Sequence, residues 1–157
     1  MDGITCDLES ARIVSPAYAG RASELTAILT YVYHSVIFGN KDMEEYAKTI
    51  EAIAISEMHH LDILANMLYK LGVDPIYVTY PCRVNYNTCF LRYSKTPRKM
   101  LLDDIEGEMQ AIRDYECMLE KLTNEDVAVV IQRIIMDEKL HVKVLKELFE
   151  KLNEKEC

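Results

Sequence analysis

Apolar residues recur at alternating steps of three and four along most of the chain, and the pattern stops where glycine, proline or a cap-forming side chain intervenes. Ser23 to Phe38 carries one such run, broken by Gly39-Asn40. A second follows, with Asp42 and Glu45 spaced as an N-cap and its reciprocal acidic partner. It continues to about Leu71, where Gly72 can take a left-handed stop and Pro75 prevents continuation. Residues 73–96 hold four tyrosines, two cysteines and Pro81 without a helical period, and read as a long connection. Thr96-Pro97 opens a third helix with proline at its tolerated first position. Thr123-Asn124-Glu125-Asp126 caps a fourth that continues to about Asn153, and residues 1–14 remain as an N-terminal tail.

Two short connections and one long one predict an all-α fold: an antiparallel four-helix bundle with a single long crossover between the second and third helices. The crossover is rich in Tyr, Val and Cys rather than in Ser, Glu and Lys, a composition that favours order over a disordered loop. At 157 residues the chain suits one domain, 1–157, with a full core.

Polar residues interrupt the stripes in a repeated way. The second helix places Ile50, Ile53, Glu57, His60, Leu64, Met67 and Leu71 on its seam; the fourth places Ile131, Ile134, Glu138, His141, Leu145, Leu148 and Leu152. The two match position by position. The first and third helices repeat a different pattern, Glu24, Ile28, Tyr31 and Glu108, Ile112, Tyr115. Each hairpin thus offers one carboxylate from its first helix and a Glu-x-x-His from its second, and residues three apart share a helix face. Four carboxylates in a core are self-repelling, and two divalent cations of total charge about +4 offset about −4. Metal binding therefore accounts for an otherwise costly placement. Mixed carboxylate and imidazole donors suit iron, manganese or zinc, whereas a structural zinc or iron–sulfur site needs convergent cysteines.

Composition narrows the rest. A net charge of −8 argues against nucleic acid, whose phosphates need a basic footprint. No apolar stretch approaches the roughly 20 residues that cross a bilayer, and no basic segment, apolar run and small-residue cleavage site open the chain, so the expectation is a cytoplasmic protein without a membrane partner. Cys6, Cys82, Cys89, Cys117 and Cys157 are widely spaced and include no C-x-x-C pair, as expected of reduced thiols, although Cys82 and Cys89 can pair in an oxidising setting.

The ligand pattern Glu24, Glu57-x-x-His60, Glu108, Glu138-x-x-His141 resembles the di-metal carboxylate proteins of the ferritin-like superfamily over about residues 15–153. That resemblance implies two iron ions, or alternatively two manganese ions, with Glu57 and Glu138 bridging, Glu24 and Glu108 terminal, and one histidine on each metal. Glu106 is the fallback for Glu108, while His59 and Glu51 lie off the seams. The order DEKLH, residues 137–141, resembles the Asp-Glu-x-x-His of oxygen-activating di-iron proteins, in which Asp137 supports the outer nitrogen of His60; the alternative is a solvated aspartate. Tyr31 and Tyr115 are candidates either for core packing or for a catalytic, redox or hydrogen-bonding part near the metals. Met58 stands in EMHH, which resembles the Glu-Met-x-His of bacterioferritins with their haem-ligating methionine, although packing at a helix interface is the simpler reading.

The implied activity is oxidoreduction of peroxide or dioxygen, similar to rubrerythrins but without their rubredoxin module, so electrons would come from an external donor protein. The extra metal-binding Glu of rubrerythrins falls at Ala111. LGVDP, residues 71–75, and IEGEMQAI, residues 105–112, look like the manganese-catalase branch, which disproportionates peroxide without a reductant. Iron oxidation and storage, as in ferritins and bacterioferritins, is the third implication. A homodimer or larger homo-oligomer is expected.

Overall fold

The computed structural model describes residues 3–156; Cys157 lies outside the described residues. Five α-helices run in the order α1 Leu8–Ala19, α2 Glu24–Gly39, α3 Glu44–Lys70, α4 Pro97–Leu119 and α5 Glu125–Glu156, with a 3-10 turn at Thr88–Phe90. The four long helices form the expected bundle. Among the described residues the only extended pairing is an isolated bridge between Val78 and Asn85 in the crossover. No described helix is long and apolar enough to cross a membrane.

The helix boundaries follow from caps. Ser23, Thr96 and Asn124 accept backbone N–H bonds from Thr26, Lys99 and Val127. Gly72 sits at φ 94° past the end of α3, and Val73 N–H reaches back to Leu68 O at 2.9 Å, closing the helix by a left-handed glycine stop. The expected Asp42 cap is not formed. Asp42 instead takes φ 57° inside the turn that ends α2, where Met43 N–H bonds Phe38 O, and α3 starts at Glu44 without a side-chain cap. The turn's geometry uses up the position the cap would need.

The N-terminal segment is a second correction. Residues 8–14, read as tail, form the first part of α1, capped by Asp7 and carrying Pro16 within it. The need for it is a matter of length. At about 1.5 Å per residue, α3 with its 27 residues outruns α2 with its 16 by roughly 16 Å. Ala11, Val14, Ala17 and Tyr18 of α1 pack with Leu64, Met67, Leu68 and Leu71 on the part of α3 that α2 does not reach. The buried face of α1 is mostly alanine and serine, which leaves little apolar periodicity to read.

Two apolar clusters result. One joins α1, the end of α3 and the start of α5; the other joins Tyr31, Phe38, Ile50, Met100, Leu101 and Leu145 at the opposite end. Every residue of the two predicted seams is buried. The polar residues of those seams lie between the clusters, sealed from water on both sides. The crossover is fastened over the bundle rather than loose: Tyr18 donates to Pro75 O at 2.7 Å, Tyr80 N–H to Ser15 Oγ at 2.5 Å, and Arg92 pairs with Asp103 and Glu106 on α4.

Candidate metal centre

Glu24 opens α2, Glu57 and His60 lie mid-way along α3, Glu108 on α4, and Glu138 and His141 on α5; all six are at least 94 % buried. The structure brings all six together. His60 Nδ1 lies 2.9 Å from Glu57 Oε2, 3.0 Å from Glu138 Oε1 and 3.8 Å from Glu24 Oε2. His141 Nδ1 lies 2.7 Å from Glu57 Oε1, 3.1 Å from Glu138 Oε2 and 3.9 Å from Glu108 Oε1. Two donor groups follow, Glu24-Glu57-His60-Glu138 and Glu57-Glu108-Glu138-His141, each able to hold one cation, with Glu57 and Glu138 in both.

The residues fit a pair of metal ions. Glu57 Oε1 and Glu138 Oε1 are fully buried and lack an aligned hydrogen bond, although each is within 3.0 Å of an imidazole nitrogen. One Nδ1 proton cannot serve two carboxylates at once, so the protein alone leaves donor atoms unsatisfied where cations would sit.

Protons take up the imbalance. Burial alone would lower both histidines, but Glu138, Glu24 and Glu57 around His60, and Glu108, Glu138 and Glu57 around His141, overcome it and hold both imidazoles far up, His141 at about 12. Desolvation and the charges of Glu57 and Glu138 raise Glu24 and Glu108 well above the usual carboxylate range. Burial would raise Glu57 as well, yet the bonds from His141 and His60 bring it down to about 2.

Around this core each tyrosine crosses to the opposite helix. Tyr31 of α2 donates to Glu108 of α4, and Tyr115 of α4 donates to Glu24 of α2, with both rings buried. Burial first, and then the charge of the bonded glutamate, raises both phenols well above their ordinary value. Asp137 Oδ2 lies 3.4 Å from His60 Nε2 and is anchored through Oδ1 to Arg133 at 2.8 Å, so it is not merely solvated.

Other candidates fall away. Glu106 is exposed and bonded to Arg92, which removes it as a substitute for Glu108; His59 and Glu51 are exposed. Met58 is 44 % exposed on the outer face of α3, so it does not pack at a helix interface within the chain. Cys6, Cys82, Cys89 and Cys117 are free and exposed.

A cavity of about 370 Å³ opens between α2 and α4 and reaches Glu24, Glu57, Glu108 and Glu138 together with both tyrosines. Cys89, Phe90, Leu91 and Arg92 of the crossover wall its mouth, and Gly107, where a Cβ would meet nothing within 4 Å, widens it. Neither histidine lines it. A small molecule would therefore approach the carboxylate side of the centre.

Sequence reasoning missed one feature of this neighbourhood. His34 of α2 and Asp104 of α4 form a fully buried pair, Nδ1 to Oδ1 2.7 Å, while His34 Nε2 and Asp104 Oδ2 have no partner in the protein. Burial raises the Asp104 carboxyl against the opposite pull of His34. The signal was present: steps of three and four carry the α2 stripe from Tyr31 to His34 and Phe38, and the α4 stripe from Leu101 to Asp104 and Glu108.

A family model for the ferritin-like domain matches residues 21–155. The chain is 28 % identical to a bacterioferritin of Mycolicibacterium paratuberculosis over 137 residues, 83 % of this chain and 80 % of the relative, and 28 % identical to one of Rhodobacter capsulatus over 143 residues, 87 % and 81 %. Among solved structures, a manganese catalase from Anabaena superposes with a TM-score of 0.87 at 17 % identity, covering 95 % of this chain and 74 % of that one. The Rhodobacter capsulatus bacterioferritin superposes at 0.81 with 23 % identity, covering 96 % and 89 %.

Proposed function

The chain belongs to the ferritin-like domain family, and from that premise we propose that it is a dinuclear metal oxidoreductase acting on peroxide or dioxygen, with two iron ions or two manganese ions as its cofactor. Glu24, Glu57, His60 and Glu138 hold one ion and Glu57, Glu108, Glu138 and His141 the other, so that Glu57 and Glu138 are shared. The observation that carries the reading is the pair of overlapping donor groups, whose shared carboxylates keep unsatisfied oxygens in a buried site. When bound, such a metal pair supplies two electrons to dioxygen or peroxide and polarises its oxygens. Six protein donors leave coordination positions open for the substrate.

The surrounding residues orient and admit. Asp137 takes the outer nitrogen of His60, which leaves Nδ1 directed inward at the carboxylates. The tyrosine hydroxyls hold Glu108 and Glu24, and the cavity between α2 and α4 is the approach for a small oxidant. Iron oxidation for storage is the second reading, favoured by the sequence similarity to bacterioferritins along most of both chains.

The test is to strip the protein with chelator, reload it with Fe(II) or Mn(II), and follow peroxide and dioxygen together with solution mass. The manganese form releasing dioxygen from peroxide assigns catalase chemistry. The iron form consuming peroxide with an added reductant assigns a peroxidase served by an external donor protein. Iron accumulation beyond two ions per chain in a many-subunit shell assigns storage. Consumption no faster than by free metal, without accumulation, removes the redox reading.

A further inference from the structure

Three polar ties link α2 to α4: Glu24 with Tyr115, Tyr31 with Glu108, and His34 with Asp104. Their order shows that the two helices run antiparallel, with numbering rising on α2 as it falls on α4. The first two ties are related by the internal repeat. The third has no counterpart, because the positions matching His34 and Asp104 in the other half are Met118 and Gly20.

The third tie stands one helical turn, about 5 Å, from the second. Its partners are wholly buried, it touches none of the six proposed ligands at hydrogen-bond distance, and each member keeps one unsatisfied polar atom. Apolar residues of the same size would tie the helices at no cost from such orphaned atoms. Asp104 lines the cavity beside Tyr31 and Glu108, so the tie also sits on the wall of the approach. The glutamate on the other side, Glu24, has no such support; it is the first residue of its helix, beside the turn at residues 20–23.

We propose that His34 and Asp104 are positioning residues that hold the Tyr31–Glu108 tie in register and so make the metal position served by Glu108 and His141 better organised than its twin. The proposal rests on the reading that the six buried ligands hold two ions. By fixing the separation of α2 and α4 one turn from Glu108, the pair confines that carboxylate to the direction the Tyr31 hydroxyl sets. Glu24 keeps more freedom. The two ions should then bind with unequal affinity, and the tighter step should depend on the pair.

Calorimetric titration of the chelator-treated full chain with Mn(II) tests this. Wild-type protein should show two unequal steps. Asp104→Asn, which keeps the shape, should weaken the tighter step about 10–100-fold, as loss of a group supporting a metal ligand commonly does. The weaker step should weaken clearly less than the tighter one, because the two positions share Glu57 and Glu138 but Asp104 supports only the side of Glu108. The double variant His34→Phe/Asp104→Leu separates positioning from mere tying: its metal-free melting temperature should equal or exceed that of wild type, while the tighter step weakens as before. If both steps of Asp104→Asn match wild type, or both weaken alike, the pair is only structural and the proposal is overturned. Should the double variant not fold, the Asp104→Asn isotherm decides alone. Wild-type protein that takes up fewer than two ions overturns the metal reading itself, a different result from two ions bound with steps indifferent to Asp104.

Discussion

The hairpin α2–α3 and the hairpin α4–α5 agree residue for residue at the centre and part company one turn away from it. Glu24 answers Glu108, Glu57 answers Glu138, His60 answers His141 and Tyr31 answers Tyr115, with paired histidine–glutamate distances that differ by 0.3 Å or less. Further out, Asp137 answers Ser56, Asp104 answers Gly20 and His34 answers Met118. On the proposed reading, two like cations would account for the matched part, since the same charge and donor set is needed twice. Nothing about holding metal requires the unmatched part. The extra polar groups all bear on one histidine or one terminal carboxylate, which is how a symmetric ligand set becomes two chemically different positions.

The matched centre is broken most severely by removing a shared carboxylate. Glu57→Ala and Glu138→Ala should each reduce metal content from two ions to one or none, and to the same extent, because each residue occurs in both donor groups. His59→Ala, on the outer face, should leave metal content unchanged. Elemental analysis of the purified variants checks all three, and a His59 variant that loses metal while His60→Ala keeps it would sink the assignment of the seam.

Next in size is the effect of metal itself. Loaded at about 1,000 times its dissociation constant, one ion stabilises the fold by about 4 kcal/mol. The size of the gain should depend on pH. His60 and His141 are raised in the metal-free chain, so their contribution to its stability is fully present below their unfolded value of 6.5 and is lost as pH rises through their folded values, about 12 for His141. Glu24 and Glu108, also raised, act in the same direction from their unfolded value of 4.5 upward. Glu57 acts oppositely: its contribution is present above 4.5 and lost as pH falls through about 2. Metal must displace the protons held by the raised groups. The melting-temperature gap between loaded and chelated protein should therefore widen from about pH 6 to about pH 8, with proton release measurable in weakly buffered titrations. A gap that narrows over that range would mean that the cluster is not protonated when empty.

These contrasts also explain what could be read from the chain alone. The six central residues were legible because carboxylates and imidazoles replaced apolar residues at seam positions, twice, in the same order. The caps at Thr96 and Asn124 and the glycine stop at Gly72 were legible because each depends on local chemistry. Asp42 misled because the preceding turn, not its side chain, sets its backbone at φ 57°. α1 was missed because alanine and serine against α3 give no apolar period, and its burial depends on a length mismatch between α2 and α3 that no local window contains. His34 and Asp104 lay on the stripes already drawn, but each belongs to a different hairpin and neither is repeated. A search guided by internal repetition passes over what is not repeated.

Asp137 offers a smaller perturbation that sharpens the comparison from the other side. Asp137→Asn keeps the shape but removes the charge facing His60 Nε2, and should weaken one of the two binding steps about 10–100-fold. Ser56→Asp supplies the missing counterpart on α3, which by the repeat faces His141 of the tighter position, and should therefore move the two steps further apart. Isothermal titration of both variants beside wild type reads the ratio directly. If Ser56→Asp narrows the ratio, the outer groups do not act through the histidines.

The tyrosines should produce the mildest effects, and their inequality is informative. Phenylalanine at either position retains the ring burial that joins α2 to α4 and removes only one hydroxyl from a buried carboxylate, a loss of about 1.5–3 kcal/mol where that carboxylate is charged. In the metal-free chain Glu24 and Glu108 are raised toward the neutral form, which lowers the cost toward the 1 kcal/mol or so of an uncharged hydrogen bond. Tyr31→Phe leaves the His34–Asp104 tie one turn away, so helix separation is kept and Glu108 can re-bond to water in the cavity. Tyr115→Phe removes the polar tie at the start of α2, where neither Met118 nor Gly20 can replace it. The second variant should therefore melt lower than the first when both are metal-free, and should lose more turnover when loaded. Equal losses would mean that the two halves are as alike in their mechanics as in their ligands, and that the unmatched residues do not stiffen the side on which they stand.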